Sequence, residues 1–119
     1  MLGSSGDCIK VLDLDGRLRF MNDGGKRILE VDDFSKLEGC VWADLWEGDG
    51  RHAAHQAVEE ARAGRSGRFT QQGKTAKGNL KWWDVQITPI PGPDGRPERL
   101  LSISRDVSEE HAGKAGMQN

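Results

Sequence analysis

The sequence predicts an α+β domain, one antiparallel sheet with its helices gathered on one face. Three observations carry that prediction. Two short apolar runs near the start are separated by Asp15-Gly16, a stretch of helical periodicity occupies the middle, and alternating apolar and polar residues return from Arg68 onward. The implied order is two strands, several helices, then three strands, with hairpins at both ends. At 119 residues the chain holds one domain, large enough to bury an ordinary core without a covalent staple.

Residues 1–7 read as a flexible leader, residues 8–107 as the domain and residues 108–119 as an exit segment. The opening runs, Cys8–Leu14 and Arg17–Met21, flank a DG pair, and glycine tolerates the positive φ of a tight hairpin turn. In the second run Leu18 and Phe20 alternate with Arg17 and Arg19, the pattern of a half-buried strand. Asn22 and Asp23 offer side-chain oxygens to a helix start, and Gly24-Gly25 keep that helix short. Phe34 with Leu37 forms one small helical patch. Trp42, Leu45 and Trp46 form another, since the spacing i, i+3, i+4 shares a helical face.

Asp49 or Gly50 opens the clearest helix, Arg51 to Ala63, and Gly64 closes it. Ala54, Ala57, Val58 and Ala61 fall on one face, with His52, Gln56 and Glu59 roughly opposite. A stripe of such small residues demands close approach to whatever it covers. Strands follow: Arg68–Gly73, a turn at Lys77-Gly78-Asn79, then Leu80–Ile90. In the latter, Trp83, Val85 and Ile87 lie on one side and Trp82, Asp84, Gln86 and Thr88 on the other. Pro91-Gly92-Pro93-Asp94-Gly95 is a turn, and Leu100–Val107 is the last strand.

Hydrophobic residues make up 35% and charged residues 30%, a balance that suits a folded globule. No apolar run approaches the roughly 20 residues of a membrane span, and the start lacks a signal-peptide pattern. Cys8 and Cys40 make no disulfide framework, so a reducing cytoplasm is the expected location. The net charge of −2 hides an asymmetry, with 11 acids against 6 bases in residues 1–50 and 8 against 11 in residues 51–119. Between Glu60 and Asp84 there is no acid, while Arg62, Arg65, Arg68, Lys74, Lys77 and Lys81 supply bases.

Taken in order, these pieces resemble a PAS domain from about Cys8 to Val107. The likeness rests on the Asp15-Gly16 hairpin, Asn22 at the exit of the second strand and the strand Trp83-Asp84-Val85-Gln86-Ile87-Thr88-Pro89-Ile90. It continues through the Asp94-Gly95 turn and the ending Ser104-Arg105-Asp106-Val107-Ser108-Glu109, which is similar to the family's Asp-Ile-Thr signal-transfer motif. The resemblance implies a PAS-like five-stranded antiparallel sheet, with short helices and one longer helix packed on one face. It also implies a sensory module that binds a small ligand between sheet and helices, or pairs with another copy. Such a module relays its signal to a C-terminal output domain such as a histidine kinase, a cyclic-dinucleotide enzyme or a DNA-binding domain.

Mapped onto this chain, the family's cavity is lined by Trp42, Leu45, Val58, Phe69, Trp83, Val85 and Ile103. Mostly apolar lining suits a small organic or aromatic molecule. The same side chains could equally fill the space, leaving a ligand-free scaffold or dimerisation module as the alternative. Asp106 is the candidate for signal transfer, bonding a neighbouring strand or capping the segment that follows. Trp82, a large aromatic on a polar strand face, is the candidate for a homodimer interface.

Other chemistries are weighed on the same residues. A haem ligand would come from the long helix, but His52 lies opposite its small-residue stripe and His55 on the flank, so haem is not expected. For flavin, light-sensing relatives place a reactive cysteine in an Asn-Cys-Arg-Phe type motif. Here Glu38-Gly39-Cys40-Val41-Trp42 lacks the Asn and Arg companions, so flavin is not expected either. His52, His55 and Glu59 approach one another on a helix, yet histidines on a solvated face arise often without binding metal. No GxSxG, HExxH or P-loop pattern occurs, so the fragment itself is read as non-catalytic. The basic stretch from Arg62 to Lys81 lacks interleaved aromatics on one face, so it is read as a charged rim with no nucleic-acid partner.

Overall fold

The computed structural model describes residues 7–111. The leader therefore lies outside the described residues except for Asp7, and so does the exit segment after His111, with its Gly113 and Gly116. β1 (Asp7–Leu12) and β2 (Leu18–Met21) form the opening hairpin, followed by α1 (Asp23–Ile28). Two 3₁₀ turns, Phe34–Lys36 and Trp42–Leu45, lead into α2 (Gly48–Arg62). β3 (Gly67–Lys74), β4 (Leu80–Pro91) and β5 (Pro97–Asp106) complete an antiparallel sheet of order β2-β1-β5-β4-β3.

Local chemistry accounts for each boundary. The DG turn holds Gly16 at φ 79°, the left-handed region that glycine enters freely. Asp13 braces the turn, its carboxylate accepting from the backbone N–H of Asp15 and Arg17 at 3.0 Å and from Arg19 Nε at 2.9 Å. Asn22 caps α1: its Oδ1 accepts from Gly25 N and also from Ile9 N, both at 2.9 Å, which ties the helix start to β1.

α2 buries the expected stripe of Ala54, Ala57, Val58 and Ala61, with Gly50 at its start. Small residues let it lie directly on β3. A Cβ added to Gly67 would stand 2.6 Å from Ala57 Cα, closer than any real contact. Trp83, Val85 and Ile87 point under the helices with Leu12, Leu18 and Leu100, and together they form the core.

Two expectations need correction. The β2 alternation predicted Phe20 on the buried side, but Phe20 is 49% exposed while Leu18 and Met21 are buried. The reason is a bulge: Leu12 pairs with Leu18 and Val11 with Phe20, so Arg19 is the extra residue and the inward set becomes Leu18 and Met21. Leu45 does not share the buried face of Trp42 and Trp46. The segment is a tight 3₁₀ turn rather than an α-helix, and Leu45 stays 50% exposed.

Candidate functional site

The inner face of the sheet is filled at one end and hollow at the other. At the filled end, α2 packs across β3, β4 and β5, and its Ala54, Ala57, Val58 and Ala61 share a core with Val85, Ile87 and Leu100. Phe69 packs there against Trp46, with ring centroids 5.2 Å apart in an edge-to-face arrangement, and against Trp42 at 6.3 Å. At the other end a cavity of about 380 Å³ opens between sheet and helices.

Lys10, Met21, Trp83 and Ser104 supply its sheet side. Leu29, Val31 and Leu37 wall it from the α1 side, and Trp42 and Trp46 from the segment before α2. Trp42 and Trp46 meet edge to face at 6.0 Å. The Trp83 indole is held by its own hydrogen bond, Nε1 donating to Gly73 O at 3.1 Å.

The rim is pinned by a polar clasp between the end of α1 and the β3–β4 connection. Ala76 N donates to Leu29 O at 2.8 Å, and Thr75 Oγ1 donates to Glu30 Oε1 at 2.6 Å. Asn79 Nδ2 donates to the same carboxylate oxygen, and Lys77 Nζ reaches Asp32 at 3.5 Å. The hydrogen bonds from Thr75 and Asn79 hold the Glu30 carboxyl below its usual value. Glu30 takes φ 59°, a left-handed conformation uncommon for a side-chain-bearing residue, and the clasp holds it there.

Of the residues mapped to the cavity, Trp42, Leu45 and Trp83 line it, Leu45 at the mouth. Val58, Phe69 and Val85 belong to the packed end. Ile103 faces the other side of the sheet, in a shallow hollow with Arg68, Asp84 and Arg105, because it pairs with Ile9 and Gln86 on the outer row. Lys10, Trp46 and Ser104 were not anticipated as cavity residues. Once the pairing of β1 turns Cys8 and Leu12 inward, alternation puts Lys10 on the same face.

Asp106 bonds on two sides. One oxygen accepts from Ser108 N at 3.0 Å and the other lies 3.3 Å from Lys81 Nζ on β4. Burial pushes its carboxyl up, but the Ser108 bonds and the Lys81 charge outweigh that and hold it below its usual value. Ser108 begins a helical turn and its Oγ accepts from Trp82 N at 3.0 Å, while Val107 N donates to Trp82 O at 2.8 Å. Trp82 is half-buried, its indole stacked on the His111 ring at 3.6 Å between centroids.

The remaining titratable candidates lie elsewhere. His52 and His55 are exposed, and His55 Nε2 sits 3.0 Å from Asp44 Oδ1. Among the described residues no three histidine, cysteine or acidic groups converge as a metal site. Neither thiol lines the cavity. Cys8 is buried beside Gly25, and Cys40 packs against the core, where burial pushes its thiol up. Neither a cysteinyl adduct nor a histidine-ligated haem in the cavity fits these positions. Most of the basic stretch finds acids: Arg62 pairs locally with Glu59 and Arg65 with Glu60, while Arg68 meets Asp84, Lys77 meets Asp32 and Lys81 meets Asp106 from other segments. Among the described residues no helix is long and apolar enough to cross a membrane.

No curated protein matches this chain. Solved structures do. The PAS domain of a protein from Colwellia psychrerythraea superposes with a TM-score of 0.74 at 22% identity, covering 87% of this chain and 87% of that one. The N-terminal domain of a diguanylate cyclase with a PAS/PAC sensor from Marinobacter aquaeolei gives 0.73 at 14% identity, covering 88% and 98%. An RNA-binding Light-Oxygen-Voltage receptor gives 0.75 at 19% identity; the match covers 91% of this chain but only 31% of that receptor. At these identities the likeness is one of fold. A family model described as the PAS fold matches residues 2–112, nearly the whole sequence. With the antiparallel sheet, its one-sided helical cover and this match in agreement, the chain belongs to the PAS fold family.

Proposed function

We propose that this domain is the sensory module of a signal-transduction protein, binding a small organic molecule between sheet and helices and relaying its occupancy through the end of β5. The observation that carries the reading is the cavity of about 380 Å³, walled by three tryptophans and aliphatic side chains. Its volume lies within the usual range for small-molecule sites, roughly 300–1,000 Å³. The segment after β5 is the exit, and Asp106 with Ser108 sets its angle to the sheet through Trp82 and Lys81. A sensor position beside a cyclic-dinucleotide enzyme, as in the Marinobacter protein, or beside a histidine kinase suits this layout. The location that suits it is the cytoplasm. Native mass spectrometry of gently purified protein tests the reading. A retained small molecule, or a melting temperature raised by members of a metabolite panel, supports it; a clean apo mass with no responder opposes it.

A second reading, self-association, has its own support. Ile9, Val11, Leu101 and Ile103 form a half-buried apolar row on the outer face, with Phe20 beside Val11 and half-exposed. Apolar patches of this kind mark contact surfaces between copies. In this reading the domain is a homodimerisation scaffold, and it is compatible with a ligand on the inner face.

A further inference from the structure

Lys10 stands out on the inner face of the sheet. It is 4% exposed, and lysine is almost never buried so completely without a partner of opposite charge. Among the described residues no carboxylate lies within ion-pairing distance of its ammonium. Its one hydrogen-bond partner among the described residues is the neutral Ser104 Oγ, at 3.5 Å. Directly across the β1–β5 ladder sits Ser102, fully buried, and its Oγ has no hydrogen-bond partner among the described residues.

Ser102 and Ser104 are two apart on one strand, so both share the face that carries Lys10. The inner face of the sheet thus gathers an ammonium and two hydroxyls in one patch, each able to donate. A buried positive charge without a counter-charge is strongly unfavourable, and the imbalance is relieved when an anion enters.

The cavity supplies the place for it. Lys10 and Ser104 line its inner side and Trp42, Trp46 and Trp83 its walls. Among the described residues the cavity's one acidic lining residue, Glu47, is exposed to solvent and makes no ion pair with Lys10. Aromatic walls select an organic anion over an inorganic one, and about 380 Å³ admits one or two rings.

Resting on the sensory reading above, we propose that the ligand is a small aromatic carboxylate. Its carboxylate is held by Lys10 Nζ and Ser104 Oγ, and its ring lies among the three tryptophans. The charge-assisted hydrogen bond to the ammonium anchors the acid, and the walls set its size.

Calorimetric titration with phenylacetate and indole-3-acetate, each beside its neutral amide, tests this. The wild-type domain is expected to bind an acid at least about tenfold more tightly than its amide. Lys10→Met is expected to erase that preference while leaving amide affinity within about twofold. Equal binding of acid and amide by the wild-type domain overturns the carboxylate assignment but leaves the cavity reading standing. Failure of all four compounds to bind overturns the aromatic carboxylate, and the cavity reading then stands or falls on the native mass measurement. Should K10M not fold, Lys10→Arg and Ser104→Ala decide between the outcomes: the arginine variant keeps the acid preference and the alanine variant reduces it. Retention of the full preference by both K10M and S104A refutes the assignment.

Discussion

Lys81 Nζ on β4 and Asp106 Oδ2 at the end of β5 lie 3.3 Å apart, so the point where the chain leaves the sheet is tied sideways to its neighbour strand. The other Asp106 oxygen caps the turn that starts at Ser108. Asp106→Asn is expected to lower stability by about 1 kcal/mol at neutral pH, the usual worth of a capping interaction with an exposed ion pair added. The folded-state value of Asp106 lies below its ordinary 3.8, so its contribution is complete above that value and is lost as pH falls through the folded one. Urea midpoints of wild type and variant should therefore converge below pH 3.8. A gap that stays constant from pH 7 to pH 3 would show that the carboxylate charge is irrelevant.

Asn22→Ala removes the acceptor shared by Ile9 N and Gly25 N. The expected loss is about 1–2 kcal/mol, a cap plus one strand-edge donor left without its partner. Chemical denaturation checks the size. Asn22→Asp, which keeps the acceptor oxygen, should recover most of it.

Gly67→Ala brings a methyl group to 2.6–2.8 Å from Ala57 Cα, Cβ and O, and the first and last are backbone atoms that cannot turn aside. α2 must lift from β3, at about 1–3 kcal/mol for overpacking. Gly78→Ala, where nothing lies within 4 Å but φ is 89°, isolates conformational strain and should cost less. A melting temperature unchanged by Gly67→Ala would refute the close approach.

On the outer face, Leu101→Asp places a charge in the row formed with Val11, Ile9 and Ile103, while Trp82 lies apart from that row, beyond the Asp84–Arg105 pair and beside His111. If copies of the domain pair there, L101D weakens self-association by about tenfold or more, and Trp82→Ala weakens it less. Sedimentation over a concentration series reads both. An equilibrium unmoved by either variant removes this face as the interface.

Much of the architecture is visible in the residues themselves. The Asp15-Gly16 turn, the Ala54/Ala57/Val58/Ala61 stripe and the Trp83/Val85/Ile87 row each carry a period or a turn residue that a single strand or helix can express. The facing of β1 is less visible, because Ile9 and Val11 are as apolar as Cys8 and Leu12. Only the bulged pairing with β2 and the ladder to β5 decide that Lys10 turns inward. The clasp joins Glu30 to Thr75, 45 residues away, and no local pattern encodes such a pair. Likewise the basic stretch looks unbalanced along the chain, yet Arg68 meets Asp84 across a hairpin and Lys77 meets Asp32 from a distant segment.

The strand order has a consequence for how the protein is made. Residues 97–106 lie between the two hairpins, and neither hairpin bonds to the other except through them. While a ribosome is still building that strand, the two ribbons lack the central strand that joins them into one sheet. Cooperative folding must wait until the fifth strand emerges, since its long-range pairings close the sheet.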